Sequence, residues 1–186
     1  MLDQNFRPLV SFCQMYFNQE KYIEESLNSI LSQTYSPLEI IISDDASTDG
    51  TWQKITDILA KYTGPHKIIT NRNEKNLGII GNWNKLCSLS SGELLVKGDG
   101  DDISVPYRVE RTVNEWLKYN KEPMLLSSSC ITIDMQGNRI GDLNVPIDGW
   151  DERDPESISN GWQFFHPGPS SAINRKLFDS FGTITH

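Results

Sequence analysis

The run Leu38-Glu39-Ile40-Ile41-Ile42-Ser43 carries a single charge and is too continuously apolar to have one wet face. A strand buried on both faces belongs to a parallel sheet, because parallel strands need crossover helices and these cover the sheet above and below. The run therefore directs the chain to the α/β class. Apolar runs at 9–13, 66–70 and 93–96 supply further strands around it. Between them, Tyr22, Ile23, Leu27, Ile30 and Leu31 recur at helical spacing, as do Trp52, Ile55, Ile58, Leu59 and Tyr62. Residues 77–90 read as a weaker helix. A helix over 106–120 turns Val109, Val113, Trp116 and Leu117 inward, with Pro106 in the first turn, where proline is favoured.

The alternation then breaks. Residues 124–134 read as a strand, Met135-Gln136-Gly137-Asn138 as a turn and 139–143 as the returning strand of a hairpin. The stretch 144–169 is rich in Pro, Gly and Asp and carries Trp150, Trp162, Phe164 and Phe165, which marks a functional loop rather than a linker. A short helix over 175–181 follows. Asn18 is placed to cap the first helix, and Ser47 or Thr48 the second, with Asp49 in its first turn complementing the helix dipole.

Gly98-Asp99-Gly100-Asp101-Asp102 puts three carboxylates within four residues at the end of the 93–96 run. A divalent cation offsets their repulsion, and hard cations such as Mg²⁺ or Mn²⁺ take oxygen ligands. The carboxyl end of a parallel strand is also where open α/β sheets bind ligands. A solvated acidic turn is the alternative reading of the run alone. It fails as a calcium loop, since Ile103 and Ser104 stand where an oxygen ligand and a glycine belong. It also lacks the third glycine of a dinucleotide fingerprint.

The same rim collects Phe17-Asn18, Asp44-Asp45 and Asn71-Arg72-Asn73. Four strand ends offering polar or acidic groups on one rim describe a nucleotide crevice, with Asn18, Asp45, Asn73, Asp99 and Asp101 among its candidate contacts. A net charge of −8 argues against nucleic acid as a partner. It leaves room for an anionic ligand, because a metal and backbone N–H groups supply positive field locally. Cys13, Cys87 and Cys130 are odd in number and show no zinc spacing, which fits reduced thiols in a cytoplasmic protein. There is no basic leader at the amino terminus and no apolar run of membrane-spanning length. Peripheral association with the inner face of a membrane stays compatible with that.

Together, Val10-Ser11-Phe12 through Phe17-Asn18, the stretch Leu27-Asn28-Ser29-Ile30-Leu31-Ser32-Gln33-Thr34-Tyr35, and Asp44-Asp45-Ala46-Ser47-Thr48-Asp49-Gly50-Thr51 resemble the amino-terminal half of family 2 glycosyltransferases. Asn76-Leu77-Gly78, Asn84, Ser91-Gly92-Glu93 and Asp99-Gly100-Asp101-Asp102 continue the likeness in order. The resemblance is strong over 8–120 and looser beyond. It implies a GT-A, Rossmann-like fold: a mostly parallel sheet flanked by helices, with a β-hairpin after the Asp-x-Asp motif. It implies an inverting, metal-dependent transfer of a sugar from a UDP-, dTDP- or GDP-linked donor to a saccharide or lipid-linked acceptor, in cell-surface polysaccharide synthesis. By position, Asp45 is expected to bond the base, Met15 and Phe17 to line the base pocket, Asp99 to approach the ribose, and Asp101 to ligate Mn²⁺ or Mg²⁺ bridging the phosphates.

Two departures stand out. Trp83 occupies a position that is Arg in many family members, where it could contact phosphate; Lys75, Lys85 or Lys97 could take its place. The acidic motif that supplies the family's general base is expected beyond His186, so residues 1–186 read as one GT-A domain truncated at its carboxyl end. His166 and Trp162 are candidate contacts to the donor or acceptor sugar, with a structural role for each as the alternative. Two other functions fit less well. A sugar-1-phosphate nucleotidyltransferase should show a glycine- and arginine-rich loop after the first strand, where this chain has Gln14-Met15-Tyr16-Phe17-Asn18. A non-catalytic nucleotide-sugar-binding module would bind without needing Asp101.

Overall fold

The computed structural model describes residues 7–143 and 170–183. Four strands lie parallel: β1 (Val10–Tyr16), β2 (Leu38–Asp44), β3 (Lys67–Arg72) and β4 (Leu94–Asp99). Helices α1 (Ile23–Leu31), α2 (Thr51–Leu59) and α3 (Gly78–Leu89) make the crossovers. After α4 (Arg108–Lys118) come β5 (Leu125–Leu126), β6 (Cys130–Ile133), β7 (Arg139–Leu143), β8 (Ala172–Asn174) and α5 (Arg175–Phe181). The main sheet has six strands in the order β3-β2-β1-β4-β8-β5, and β6 with β7 forms a separate hairpin. This is the mostly parallel α/β sheet with a following hairpin that the sequence implies.

Alternation along β1 explains the layers, because successive side chains leave opposite faces. Val10, Phe12 and Tyr16 join Ile40, Ile42, Leu94 and Val96 in one cluster, covered by Leu27 and Ile30 of α1 and by Val109, Val113 and Trp116 of α4. Cys13 and Met15 join Ile41 and Leu95 in a second cluster on the other face, covered by Trp83, Leu86 and Cys87 of α3. β1 and β2 are buried along their whole length, whereas β3 is half-exposed as an edge strand should be.

Register sets the rim. Met15 is paired with Ser43 on one side and with Asp99 on the other, and Asp44 with Arg72. The carboxyl ends of four strands therefore arrive at one level.

Several local expectations are corrected. Asn18 does not cap α1, whose N-cap is Tyr22 with no side-chain bond; its backbone is left-handed at φ 53°, and its Oδ1 accepts from the Thr48 N–H at 2.8 Å. Ser47 and Thr48 do not cap α2 either. Its N-cap is Gly50, and Asp49 lies before the helix, accepting from the Thr51 N–H at 3.0 Å and the Glu20 N–H at 3.1 Å. Pro106 precedes α4 rather than starting it, and its carbonyl accepts from the Thr34 N–H at 2.9 Å. The strand expected over 124–134 is split at Ser127-Ser128-Ser129 between two sheets, β5 in the main sheet and β6 in the hairpin. Strand β8 carried no sequence signal; it is three residues long and inserts antiparallel between β4 and β5. Among the described residues no helix is long and apolar enough to cross a membrane.

Candidate functional site

A cleft of about 470 Å³ opens at this rim, lined by Met15, Phe17, Asp45, Asn82, Lys97, Asp99 and Asp101 among others. The acids Asp44 and Asp45 divide here. Asp44, at the end of β2, is fully buried; its Oδ2 lies 3.2 Å from Arg72 Nε and its carboxylate takes the Ser47 hydroxyl, so it holds the loop. Asp45 is one residue further and turns into the cleft, 3 % exposed. Its Oδ1 accepts from Asn73 Nδ2 at 2.7 Å and from the Leu77 N–H at 2.9 Å. Two donors on one oxygen fix the orientation of the carboxylate.

Asn73 acts on the cleft through this bond and through Asn82 Oδ1, to which it donates at 3.1 Å. Asn18 acts through the loop after β2: its N–H donates to Ser47 Oγ at 2.9 Å. Neither is among the cleft-lining residues, so both support the wall from behind. His166 and Trp162 lie outside the described residues.

The end of β4 is held closely. Gln14 Nε2 donates to the Asp99 carbonyl at 2.8 Å. A side chain at Gly100 would collide with the Tyr16 ring and approach the Gln19 amide carbon to 2.8 Å, which explains a glycine between two acids. Lys97 Nζ lies 2.7 Å from Asp99 Oδ1 and 2.8 Å from Oδ2. Burial, followed by the nearby charges of Asp101 and Asp99, pushes the Asp102 carboxyl up to about 6. Burial likewise lowers the Arg108 guanidinium to about 10; its Nη2 donates to the Lys97 carbonyl at 2.7 Å. A second cavity of about 420 Å³ shares Asp101 and Asp102 and runs toward Arg108, Cys130 and Ser170.

Sequence reasoning missed Asn82 and Gln14 as contributors to the site. Asn82 falls at the same helical spacing as Leu86, a polar residue in an inward stripe, and that was the available signal. It accepts from Ser43 Oγ at 2.5 Å and from Asn73. Trp83, where a phosphate-contacting Arg was expected, is 5 % exposed and packs in the second core cluster, so this position faces the sheet and not the cleft. Of the lysines offered in its place, Lys97 lines the cleft, while Lys75 and Lys85 do not.

Among the described residues no three His, Cys, Asp or Glu side chains are grouped to enclose a metal. An Mg²⁺-like site does not need them, since one or two carboxylates with ligand phosphates suffice. Asp101 and Asp102, adjacent at the cleft mouth and repelling each other, suit that donor set.

The chain is 42 % identical over 106 residues to an uncharacterized glycosyltransferase of Haemophilus influenzae, covering 57 % of this chain and 32 % of that one. The chain spans about half or less of the length of the curated relatives it matches. Among solved structures, the mannosyltransferase PcManGT of Pyrobaculum calidifontis, in complex with GDP-Man and Mn²⁺, superimposes with a TM-score of 0.67 at 20 % identity, covering 98 % of this chain and 49 % of that one. TarS 1-349 of S. aureus in complex with UDP gives 0.63 at 23 % identity, covering 92 % and 48 %. These likenesses establish the GT-A fold. The model of the glycosyl transferase family 2 matches residues 11–179, and the chain belongs to that family.

Proposed function

We propose that the rim cleft binds the nucleoside diphosphate of a UDP-, dTDP- or GDP-linked sugar, for inverting, metal-dependent transfer to a hydroxyl of a saccharide or lipid-linked acceptor. The observation that carries this reading is the convergence of Asp45, Asp99 and Asp101 with Met15 and Phe17 in one cleft at the carboxyl ends of β1, β2 and β4. The solved relatives of the same fold hold UDP in one case and GDP-Man with Mn²⁺ in the other.

Each wall suits one part of such a donor. Asp45, oriented by Asn73 and the Leu77 N–H, accepts from an imide or guanine N–H, and Met15 and Phe17 offer apolar surface to the base. Asp99 accepts from ribose hydroxyls. Asp101, with Asp102 beside it, would hold Mn²⁺ or Mg²⁺, which would supply Lewis-acid stabilisation of the leaving diphosphate. The second cavity, continuing from Asp101 and Asp102, receives the sugar and acceptor side. A cytoplasmic setting, at the membrane face where polysaccharide precursors are used, accords with this donor class.

Calorimetric titration with UDP, GDP and dTDP, each with Mn²⁺ and with EDTA, tests the reading by binding alone. Metal-dependent binding of at least one of the three is expected. Binding of none would overturn the nucleotide site, and equal binding with and without metal would overturn the role of Asp101.

A further inference from the structure

Asp99 and Asp101 stand two residues apart, yet the reading above gives one to neutral hydroxyls and the other to a cation. Two equivalent carboxylates would both seek the cation. The tertiary structure makes them inequivalent. Lys97 and Asp99 are i and i+2 on β4, so their side chains leave the same face of the sheet. The ammonium forks across both oxygens of Asp99, at 2.7 and 2.8 Å. Among the described residues lining the cleft it is the one cation, set against Asp45, Asp99, Asp101 and Asp102.

The pair is built into the wall rather than laid on it. The Lys97 side chain is 16 % exposed and that of Asp99 28 %. The Lys97 N–H donates to the Ser171 carbonyl at 2.9 Å, and Arg108 donates to the Lys97 carbonyl at 2.7 Å. Gln14 holds the Asp99 carbonyl from β1. Three neighbouring segments therefore fix the backbone from which the Lys97 and Asp99 side chains project.

We infer that Lys97 is a positioning residue that reserves Asp99 for the ribose diol and leaves the cation to Asp101. The inference rests on the nucleotide reading above. An ionised carboxylate offers about four lone-pair directions. Lys97 takes one on each oxygen of Asp99, and the others accept from the two vicinal hydroxyls. Without the ammonium, Asp99 is an uncancelled anion beside Asp101, able to turn away from the diol and compete for the metal. What is lost is selectivity for ribose, rather than affinity in general.

The test compares UDP and GDP with their 2′,3′-dideoxy counterparts at saturating Mn²⁺. The unaltered chain, Lys97→Met, Lys97→Gln and Lys97→Arg are each titrated, with thermal melts showing that each is folded. The unaltered chain should prefer the ribo form about tenfold or more, the worth of hydrogen bonds to a charged group. That preference should fall to about twofold or less in the folded neutral variants and persist in Lys97→Arg. Should either neutral variant keep the full preference, the inference falls while the nucleotide reading stands. Should the unaltered chain bind neither nucleotide, the nucleotide reading fails and the inference with it.

Discussion

Asn73, following β3, donates from one amide nitrogen to two groups of the cleft wall: Asp45 Oδ1 at 2.7 Å and Asn82 Oδ1 at 3.1 Å. The cleft-facing carboxylate after β2 is thereby tied to helix α3. Asn73→Ala removes a donor and frees Asp45 to rotate. Nucleotide affinity should fall about tenfold, with a stability loss of about 1 kcal/mol, by calorimetry and thermal melts. Unchanged affinity would mean that Asp45 is oriented by the Leu77 N–H alone.

Asp101→Ala tests the cation role. With Mn²⁺ present, nucleotide affinity should drop about 10- to 100-fold, because a charge-assisted contact to the cation that Asp101 would hold is removed. In EDTA the variant and the unaltered chain should bind alike. Equal loss in both conditions would show that Asp101 contacts the nucleotide directly.

Glu39 contributes to the response to acid. Its side chain is fully buried; burial alone would raise its pKa, but hydrogen bonds from Ser11 Oγ at 2.7 Å and the Ser91 N–H at 2.5 Å, with Lys67 at 3.1 Å, outweigh burial and hold it below the usual range. The folded state thus takes up a proton less readily than the unfolded chain. The stability this gives is complete above the ordinary glutamate value of about 4.3 and is lost as pH falls through the lower folded value. Glu39→Gln should cost roughly 2 kcal/mol at neutral pH and flatten the stability curve below about pH 4, measured by urea melts across pH.

Trp83 decides whether the phosphate-contacting Arg expected from the family can be restored. Its side chain lies among Cys13, Met15, Ile41 and Leu95, so Trp83→Arg puts a guanidinium into an apolar layer. The variant should lose stability by about 3 kcal/mol or more and gain no nucleotide affinity. Trp83→Ala should cost about 3–5 kcal/mol through the cavity it leaves. A gain in affinity from Trp83→Arg would show that α3 turns this position to the cleft.

Much of the fold was legible because it rests on local pattern. Apolar runs marked β1, β2 and β4 as strands, β2 as one buried on both faces, and the spacing of Leu27 and Ile30, or of Val109, Val113 and Trp116, marked the helices that cover them. The positions of Asp45, Asp99 and Asp101 at strand ends followed from the same runs. Caps were less legible. Asn18, Ser47 and Asp49 are good capping residue types, but each found a partner across the rim, so long-range bonds displaced the local ones. Strand β8 was invisible because three residues give no period, and its place is set by the edge that β4 leaves open.

An α/β chain whose parallel strands deliver acids to one rim can be read from the order of residues, since burial on both faces and alternation are properties of that order. What each polar residue does there depends on long-range packing. It sent Asp44 inward to Arg72 and Asp45 into the cleft, turned Trp83 to the core and Asn82 to the site, and set Lys97 against Asp99 rather than Asp101. Those outcomes depend on strand register and on which helix face meets the sheet, and both are fixed only when distant segments pack together.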